Sequence, residues 1–178
     1  MREPDELQVT ISESSIGLVL VAQSEKGVTA VLLGDDRDAL RTDLQSRFPN
    51  AVLTDHVATW NERTIEVIEL VESSRQEISA PLDMRGSEFQ RSVWRALQEI
   101  PAGTTASYSE VASRIGRPGA ERAVAAACAS NHLAVVVPCH RVVRSDGQLS
   151  GYRWGVDRKR LLLDRERRWT APADANAE

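Results

Sequence analysis

Two short runs of aliphatic and β-branched residues in the first part of the chain predict a β-hairpin. They cover residues 16–22 (IGLVLVA) and 28–33 (VTAVLL), and the sequence QSEKG with Gly27 lies between them. Apolar runs of this length that are bounded by turn residues are typical of buried strands. We therefore expect two antiparallel strands joined by a tight turn.

Helical periodicity replaces this pattern after the hairpin. A first helix is predicted between the N-cap candidates Asp35 and Asp36 and the helix-ending Pro49, and a second from Thr54 to about Ser73. Apolar side chains that recur every three or four residues form the helix face that packs on a core. The predicted core positions are Leu40, Leu44 and Phe48 in the first helix, and Val57, Trp60, Thr64, Ile68 and Val71 in the second.

Three further helices are predicted in the second half of the chain. Capping-box sequences begin two of them, at Ser87 and Ser107, and the third runs from Gly119 to about Ser130. The third helix (GAERAVAAACAS) consists almost entirely of small side chains around Arg122. The last two helices are joined by Gly-Arg-Pro-Gly, so the pair resembles a helix-turn-helix.

The charge of the chain changes sign near residue 84. The formal net charge is -4, but residues 1–84 carry -9 and residues 85–170 carry +7. We therefore predict an N-terminal subdomain of residues 1–84, a C-terminal subdomain of residues 85–169 and a tail of residues 170–178. Basic residues concentrated in one subdomain can attract a polyanion such as DNA, and the alternative is a solvated basic surface without a partner.

Composition and sequence pattern argue against three classes of protein: membrane-spanning proteins, secreted proteins and disulfide scaffolds. The 178 residues are 42% hydrophobic and 27% charged, which is typical of a folded globular chain. No apolar run approaches the roughly 18 residues of a membrane span, and MREPDELQVT lacks the features of a secretory signal. The two cysteines, Cys128 and Cys139, are too few for a disulfide scaffold. A cytoplasmic location without membrane association is therefore expected.

The alanine-rich third helix offers little means of reading a DNA sequence. Helices that recognise base edges in the major groove carry Arg, Asn or Gln at several positions, whereas this helix carries Arg122 alone. Small side chains would let its backbone approach a narrow groove, with Arg122 reaching between bases. The alternative is a tightly packed internal helix with Arg122 in solvent. Cys128 on this helix is expected to pack rather than react.

A candidate nucleophile follows an apolar run. Residues 132–137 end in Leu-Ala-Val-Val-Val and predict a short buried strand, after which Pro138 holds Cys139 in position. An imidazole such as His140 and a cation such as Arg141 can lower the pKa of a thiol and make it a nucleophile. The alternative is an inert core cysteine beside an unrelated histidine.

Longer motifs around Cys139 resemble the O6-alkylguanine-DNA alkyltransferases. The string PCHRVV is followed by Gly151-Tyr152 and Gly155, and preceded by FQRSVW, IPAGTTASYSEVASRIGRP and ERAVAAACASN. The similarity extends from residue 85 to about residue 167. Within the family, GYRWG and VAQSEKGVTAVLLGDDRDAL are most similar to the alkyltransferase half of the bacterial adaptive-response (Ada) proteins.

The resemblance implies catalytic roles at matching positions. Cys139 accepts the alkyl group from O6 of guanine, His140 deprotonates the thiol through a water, and Glu166 orients the histidine. Asn131 matches the hinge asparagine before the cysteine segment. Tyr108 matches the tyrosine that donates a proton to the departing guanine. Such a donor is needed because negative charge develops on the purine as it leaves.

The resemblance also implies a DNA surface and a base pocket. Arg122 enters the base stack in place of the extruded nucleotide, and Tyr108, Ala123 and Ser145 accompany it at the DNA. The implied substrate pocket consists of Tyr152, Val142, Trp154, Arg153 and Lys159. Other branches of the family have small residues at positions 153 and 154. A bulky rim here predicts methyl in preference to large aralkyl groups, and poor reaction with an O6-benzylguanine probe.

The function implied is DNA repair by direct reversal of damage. The protein would flip O6-alkylguanine, and in a second substrate class O4-alkylthymine, out of double-stranded DNA through the minor groove. It would act once, as a monomer, without cofactor or metal. Because the chain lacks the four-cysteine domain of the full adaptive-response protein, no transcriptional role is expected. The alternatives are a module that binds lesions without transfer and a Cys-His hydrolase.

The resemblance implies an α+β fold. A small ribonuclease-H-like N-terminal subdomain with an antiparallel sheet would precede a winged-helix-like C-terminal subdomain with a helix-turn-helix and the active-site cysteine.

Overall fold

Four strands form a sheet in this computed structural model, which describes residues 4–55, 61–73 and 77–171. Strands β1 (Glu6–Ser14), β2 (Gly17–Ser24) and β3 (Gly27–Gly34) pair in antiparallel fashion, and β4 (Val52–Asp55) pairs in parallel with β1, giving the order β3-β2-β1-β4. The predicted hairpin is confirmed as β2 and β3. The predicted antiparallel sheet is present in β1, β2 and β3, but the parallel strand β4 makes the whole sheet mixed. Thr54, predicted to begin a helix, lies in β4.

The β2–β3 turn depends on Gly27. Its φ angle is +150°, and a Cβ atom at this position would lie 2.2 Å from the carbonyl oxygen of Pro81. Only a glycine lets the two backbones approach this closely. This close approach allows two backbone hydrogen bonds. The Val28 amide donates to the Pro81 carbonyl at 2.9 Å, and the Asp83 amide donates to the Val28 carbonyl at 2.9 Å. Residues 81–83 therefore extend the edge of the sheet at β3.

Two helices accompany the sheet. Helix α1 (Arg37–Arg47) is capped by Asp36, whose carboxylate accepts a hydrogen bond from the Ala39 amide at 2.7 Å, and it buries Leu40 and Leu44 as predicted. Helix α2 spans Glu62–Ser73. Its predicted core positions Thr64, Ile68 and Val71 are buried. The predicted positions Val57 and Trp60 lie outside the described residues.

The three predicted helices of the second half are confirmed as α3 (Glu88–Gln98), α4 (Tyr108–Arg114) and α5 (Glu121–Ala129). Both predicted capping boxes are present, at the start of α3 and of α4. After α4, Gly116 adopts a φ of +72° and its amide donates to the Ser113 carbonyl, while the Arg117 amide reaches the Ala112 carbonyl. These two bonds form a Schellman motif that ends α4 before α5 begins.

Short strands and a long helix complete this part of the chain. Strands β5 (Ala106–Ser107) and β6 (Val142–Val143) pair in parallel, and helix α6 spans Val156–Thr170. The described residues thus form an α+β fold with a small sheet and six helices. No helix within the described ranges combines the length and apolarity that crossing a bilayer requires.

The strand predicted at residues 132–137 is wrong. Only Leu133 makes a bridge, with Val31 of β3, and residues 134–136 form a tight turn in which the Val136 amide donates to the Ala134 carbonyl at 2.7 Å. The central residue, Val135, has a φ of +68°, a strained value for a β-branched side chain. The run is apolar because it is buried, and burial alone does not distinguish a strand from a turn.

The described chain divides into two compact units. The first contains the described residues up to 72 together with 77–86 and 132–136, and the second contains residue 73 with residues 87–131 and 137–171. The predicted boundary near residue 84 lies two residues from the end of segment 77–86. Segment 132–136 lies after the predicted boundary in the sequence but belongs to the first unit, so one boundary does not describe both units.

Candidate active site

Cys139 begins a single 3-10 turn, Cys139–Arg141, in the second unit. Pro138 precedes it with φ -80° and ψ 62°, and the Cys139 amide donates to the Val137 carbonyl at 2.8 Å. These angles and this bond define an inverse γ-turn, whose central φ the proline ring favours. The Cys139 side chain is therefore held by a rigid turn, and the residue is only 5% exposed.

The Cys139 thiol is neutral in the free protein. Burial raises its pKa to about 11, although a hydrogen bond from Asn131 and the charge of Lys159 both act to lower it. The Asn131 amide nitrogen lies 3.3 Å from Sγ and 3.0 Å from the Val137 carbonyl oxygen. The sequence-based expectation that His140 and Arg141 lower this pKa is wrong, because burial raises it and both side chains bind Glu166.

His140 and Glu166 form a buried pair. The His140 Nε2 atom lies 2.7 Å from Glu166 Oε1, and both residues are fully buried. Burial by itself would raise the pKa of Glu166, but hydrogen bonds from His140 and Arg141 outweigh it and lower the pKa to about 2. The ionised carboxylate can only accept, so Nε2 carries the proton. Burial also lowers the pKa of His140, so the ring is neutral and Nδ1 is unprotonated.

The free lone pair of His140 is available to a proton. Its Nδ1 atom is buried and has no hydrogen-bond partner among the described residues. A neutral imidazole with one nitrogen fixed by a carboxylate and the other unpartnered is the arrangement of a general base.

Arg141 holds the Glu166 carboxylate in place. Its Nε atom lies 3.0 Å from Oε2 and its Nη2 atom 2.9 Å from Oε1, while Nη1 donates to the Ile100 carbonyl at 2.6 Å. Two-point contact of this kind fixes the orientation of a carboxylate as well as its charge. Sequence reasoning missed this contact, since Arg141 and Glu166 lie 25 residues apart and no local pattern joins them.

Tyr108 begins α4 and contacts a serine that the sequence did not single out. The Tyr108 hydroxyl is hydrogen-bonded to Ser150 Oγ, which also accepts from Lys159 Nζ at 3.1 Å. Lys159 donates in addition to the Val142 carbonyl at 2.6 Å. Burial lowers the pKa of Lys159 and raises that of Tyr108.

A cavity of about 370 Å³ borders the thiol. Its lining residues are Tyr108, Ala125, Cys128, Ala129, Cys139, Gly151, Tyr152 and Arg153. Of the predicted pocket residues, Tyr152 and Arg153 line it, whereas Val142, Trp154 and Lys159 do not. Cys128 lines the cavity too, but burial raises its pKa to about 12, so it remains a neutral thiol.

Trp154 supports the cavity wall rather than its rim. Trp154 is 5% exposed, and its ring meets the Tyr152 ring edge-on with the centroids 5.3 Å apart. The Tyr152 hydroxyl is buried without a hydrogen-bond partner among the described residues. The expectation that Arg153 and Trp154 both form a bulky rim is therefore wrong for Trp154. Arg153 lines the cavity, whereas Trp154 lies behind the lining and packs against the ring of Tyr152.

Helix α5 has one buried face and one exposed face. Val124, Ala127 and Cys128 are buried, while Arg122 and Ala123 are exposed. Helix α5 is thus not an internal helix, and its exposed positions are Arg122 and the small residues Ala123, Ala126 and Ala129. Ser145 is also exposed, in the loop after β6.

No group of three or more His, Cys, Asp or Glu side chains within the described ranges is arranged to hold a metal ion.

Comparison with known proteins defines the class to which this arrangement belongs. Residues 88–168 match the family described as "6-O-methylguanine DNA methyltransferase, DNA binding domain". The crystal structure of Mycobacterium tuberculosis OGT in complex with DNA is similar, with a TM-score of 0.73 and 34% identity over 96% of this chain and 97% of that chain.

Two curated relatives narrow this class. The inducible methylated-DNA–protein-cysteine methyltransferase of Bacillus subtilis (strain 168) is 37% identical over 92% of this chain and 87% of its own length. The bifunctional transcriptional activator/DNA repair enzyme Ada of Escherichia coli (strain K12) is 48% identical over 90% of this chain but only 45% of its own length. The chain belongs to the family of methylated-DNA–protein-cysteine methyltransferases, and it spans less than half the length of Ada.

Proposed function

We propose that this protein repairs DNA by moving a methyl or other alkyl group from O6 of guanine to Cys139, irreversibly and once per molecule. The observation that carries the proposal is a buried thiol at a cavity, adjacent in the chain to an imidazole that Glu166 orients as a base. O4-alkylthymine presents the same alkyl–oxygen bond and is a second candidate substrate.

The proposed reaction is an in-line displacement at the alkyl carbon. His140 takes the thiol proton through a water, and the Cys139 sulfur attacks the carbon. A carbon–sulfur bond forms, the carbon–oxygen bond breaks, and its electron pair passes to the guanine. Tyr108 gives a proton to the purine as it leaves. The thioether product has no ordinary route of hydrolysis, so the protein is consumed.

The proposed DNA contact involves the exposed face of α5. O6 of a paired guanine is enclosed in the duplex, so the nucleotide must rotate out and its place must be filled. Arg122 is exposed and long enough to enter the stack from the minor groove, and neighbouring Ala123 leaves room for the backbone to approach. Exposed Ser145 is proposed to contact the DNA, and phosphate contacts set the affinity.

The proposed base pocket is the cavity at Cys139. Tyr152 forms one wall, and the backbone at Cys139 and Val142 meets the guanine edge. Lys159 holds this backbone, because its ammonium donates to the Val142 carbonyl. The Asn131 amide, near Sγ, stabilises the thiolate as it forms. A preference for methyl over larger groups stays a prediction, with Arg153 and the Tyr152–Trp154 pair as its proposed cause.

We also propose the finer fold assignment. The first unit, with its sheet and accompanying helices, is ribonuclease-H-like, and the second, with α3, α4, α5 and the short β5–β6 pair, is winged-helix-like. The mixed strand order and the helix-turn-helix geometry of α4 and α5 support these assignments. The monomeric state and the cytoplasmic location stay predictions.

The proposal is tested by following one label. The protein is incubated with a duplex that contains O6-methylguanine labelled in the methyl group, and intact-protein and peptide mass spectrometry locate the label. We expect a gain of one methyl group on Cys139, at most one per molecule. Cys139→Ala should bind the duplex without transfer. Label that stays on bound DNA with the unaltered protein would indicate a binding module, and turnover of an ester would indicate a hydrolase.

A further inference from the structure

Lys159 is a buried cation whose hydrogen bonds go to neutral oxygens. It is fully buried, and its ammonium donates to the Val142 carbonyl and to Ser150 Oγ, with no carboxylate partner among the described residues. Burying a charge without a counter-ion is unfavourable, so such groups are retained where their charge acts on a site. The second acceptor, Ser150, is also hydrogen-bonded to the hydroxyl of Tyr108, which lines the cavity.

The direction of the hydrogen bond between Lys159 and Ser150 follows from what each group can donate, whereas either hydroxyl can donate in the bond between Ser150 and Tyr108. An ammonium only donates, so Ser150 Oγ accepts from Lys159. The Ser150 proton then has the Tyr108 oxygen as its acceptor among the described contacts. When Ser150 donates to Tyr108, the Tyr108 proton is released from Ser150 and can face the cavity.

We propose that Ser150 is a positioning residue that relays the charge of Lys159 to Tyr108 and turns the Tyr108 proton toward the base in the cavity. The inference rests on the proposed function. As the carbon–oxygen bond breaks, its electron pair goes to the guanine and the Tyr108 proton goes to the purine. The negative charge left on the Tyr108 oxygen accepts the Ser150 hydrogen bond, which the Lys159 ammonium strengthens.

The test uses two methyl donors that differ in their leaving groups. With O6-methylguanine in duplex DNA the leaving purine needs a proton, whereas with methyl iodide the leaving iodide needs none. For Ser150→Ala we expect methyl transfer from the duplex to Cys139 to slow about 10- to 100-fold. This is less than the roughly 100- to 1,000-fold cost of losing a donor that contacts the developing charge directly, because Ser150 acts through Tyr108. The rate at which methyl iodide labels Cys139, resolved from Cys128 by peptide mapping, should be unchanged. Ser46→Ala, an exposed serine on α1, is the matched control and should leave both rates unchanged.

A double-mutant cycle separates a relay from a general disturbance of the site. Once Tyr108→Phe has removed the hydroxyl, Ser150→Ala should cause little further loss of transfer from the duplex. Equal slowing with both methyl donors, an undiminished effect of Ser150→Ala beside Tyr108→Phe, or transfer as fast as in the unaltered protein would each overturn the relay. If the unaltered protein takes no methyl from the duplex, the proposed function itself fails.

Discussion

Cys139 illustrates how burial sets the state of a single side chain. Desolvation outweighs the Asn131 hydrogen bond and the charge of Lys159, so the pKa of the thiol rises to about 11. At neutral pH the thiolate fraction is then very small. This state protects the sulfur for the proposed single reaction, because an exposed thiolate would be consumed by oxidants and incidental alkylating agents.

The raised pKa of Cys139 predicts the pH dependence of its reaction with a small alkylating agent. Because only the thiolate reacts, the rate with methyl iodide should rise about tenfold per pH unit from pH 8 toward 10, and level off near the pKa. Peptide mapping after timed quenching measures the rate at Cys139. A plateau already reached at pH 7 would contradict a neutral resting thiol.

The ion pair between Arg141 and Glu166 predicts that loss of Arg141 destabilises the fold. Arg141→Met leaves the buried Glu166 carboxylate with His140 and a long hydrogen bond of 3.4 Å from the Gly103 amide. Because neither replaces the lost cation, we expect a loss of about 3–5 kcal/mol in the free energy of unfolding. Urea unfolding at pH 7 measures it. Arg160→Met, which removes an exposed pair with Asp157, is the control and should leave the urea midpoint nearly unchanged.

The same substitution has a pH signature. The folded pKa of Glu166, about 2, lies below its ordinary value of 4.5, so the unfolded chain binds the proton first as the pH falls. The stability that the ionised pair provides is therefore present above about pH 4.5 and is lost as the pH falls toward 2. The difference in the free energy of unfolding between the unaltered protein and Arg141→Met should therefore decrease as the pH falls from 4.5 toward 2. A difference that stays constant over this range would contradict an ionised Glu166.

At the scale of the element, α4 couples helix capping to the site. Ser107 is the N-cap and Tyr108 is the first residue of the helix, so loss of the cap should loosen the position of the hydroxyl. We expect Ser107→Ala to cost about 1 kcal/mol and to slow methyl transfer, and Ser107→Asp, which keeps an oxygen cap, to restore both. Urea unfolding and the labelled-duplex assay measure the two effects.

A second capping box provides the control. Ser87 caps α3 with the same pair of hydrogen bonds, and it precedes Glu88 rather than a residue of the cavity. Ser87→Ala should reduce stability by a similar amount without slowing transfer. Slowing of transfer by both variants in equal measure would show that stability alone is responsible.

Local signals explain which elements could be predicted. Helices with caps and four-residue periodicity, and the hairpin with its turn glycine, are specified by neighbouring residues and are present as predicted. Strand β1 was missed although Leu7, Val9 and Ile11 alternate with polar residues, a period-two signal that could have found it. Strand β4 has four residues, half of them polar, and its pairing with β1 depends on residues more than 40 positions away.

The residues of the site that lie in local motifs could be predicted, whereas the contacts between distant residues could not. Cys139 and His140 are adjacent in the chain, and with Asn131 they lie in motifs that the resemblance recognises. The contacts of Arg141 with Glu166 and of Ser150 with Tyr108 join residues 25 and 42 positions apart. Only the folded chain brings these groups together. Their contribution is electrostatic, and no pattern of residue types along the sequence reports it.

For the whole molecule, the distribution of charge matters more than its sum. The net charge of -4 would repel DNA, yet residues 85–170 carry 15 Lys and Arg against 8 Asp and Glu. Binding through the second unit should release counter-ions from the duplex, so the logarithm of the dissociation constant should rise linearly with the logarithm of salt concentration. Fluorescence anisotropy with Cys139→Ala, which cannot react, measures it.

Two single substitutions locate this binding surface. Arg122→Ala should weaken binding and lower the salt slope by about one at most, because one cation is removed from the DNA face. Lys26→Ala, in the exposed turn between β2 and β3, removes the same charge from the first unit and should change neither quantity. If Lys26→Ala weakens binding as much as Arg122→Ala, the duplex lies against the acidic unit as well, and the assignment of the DNA surface to α5 is wrong.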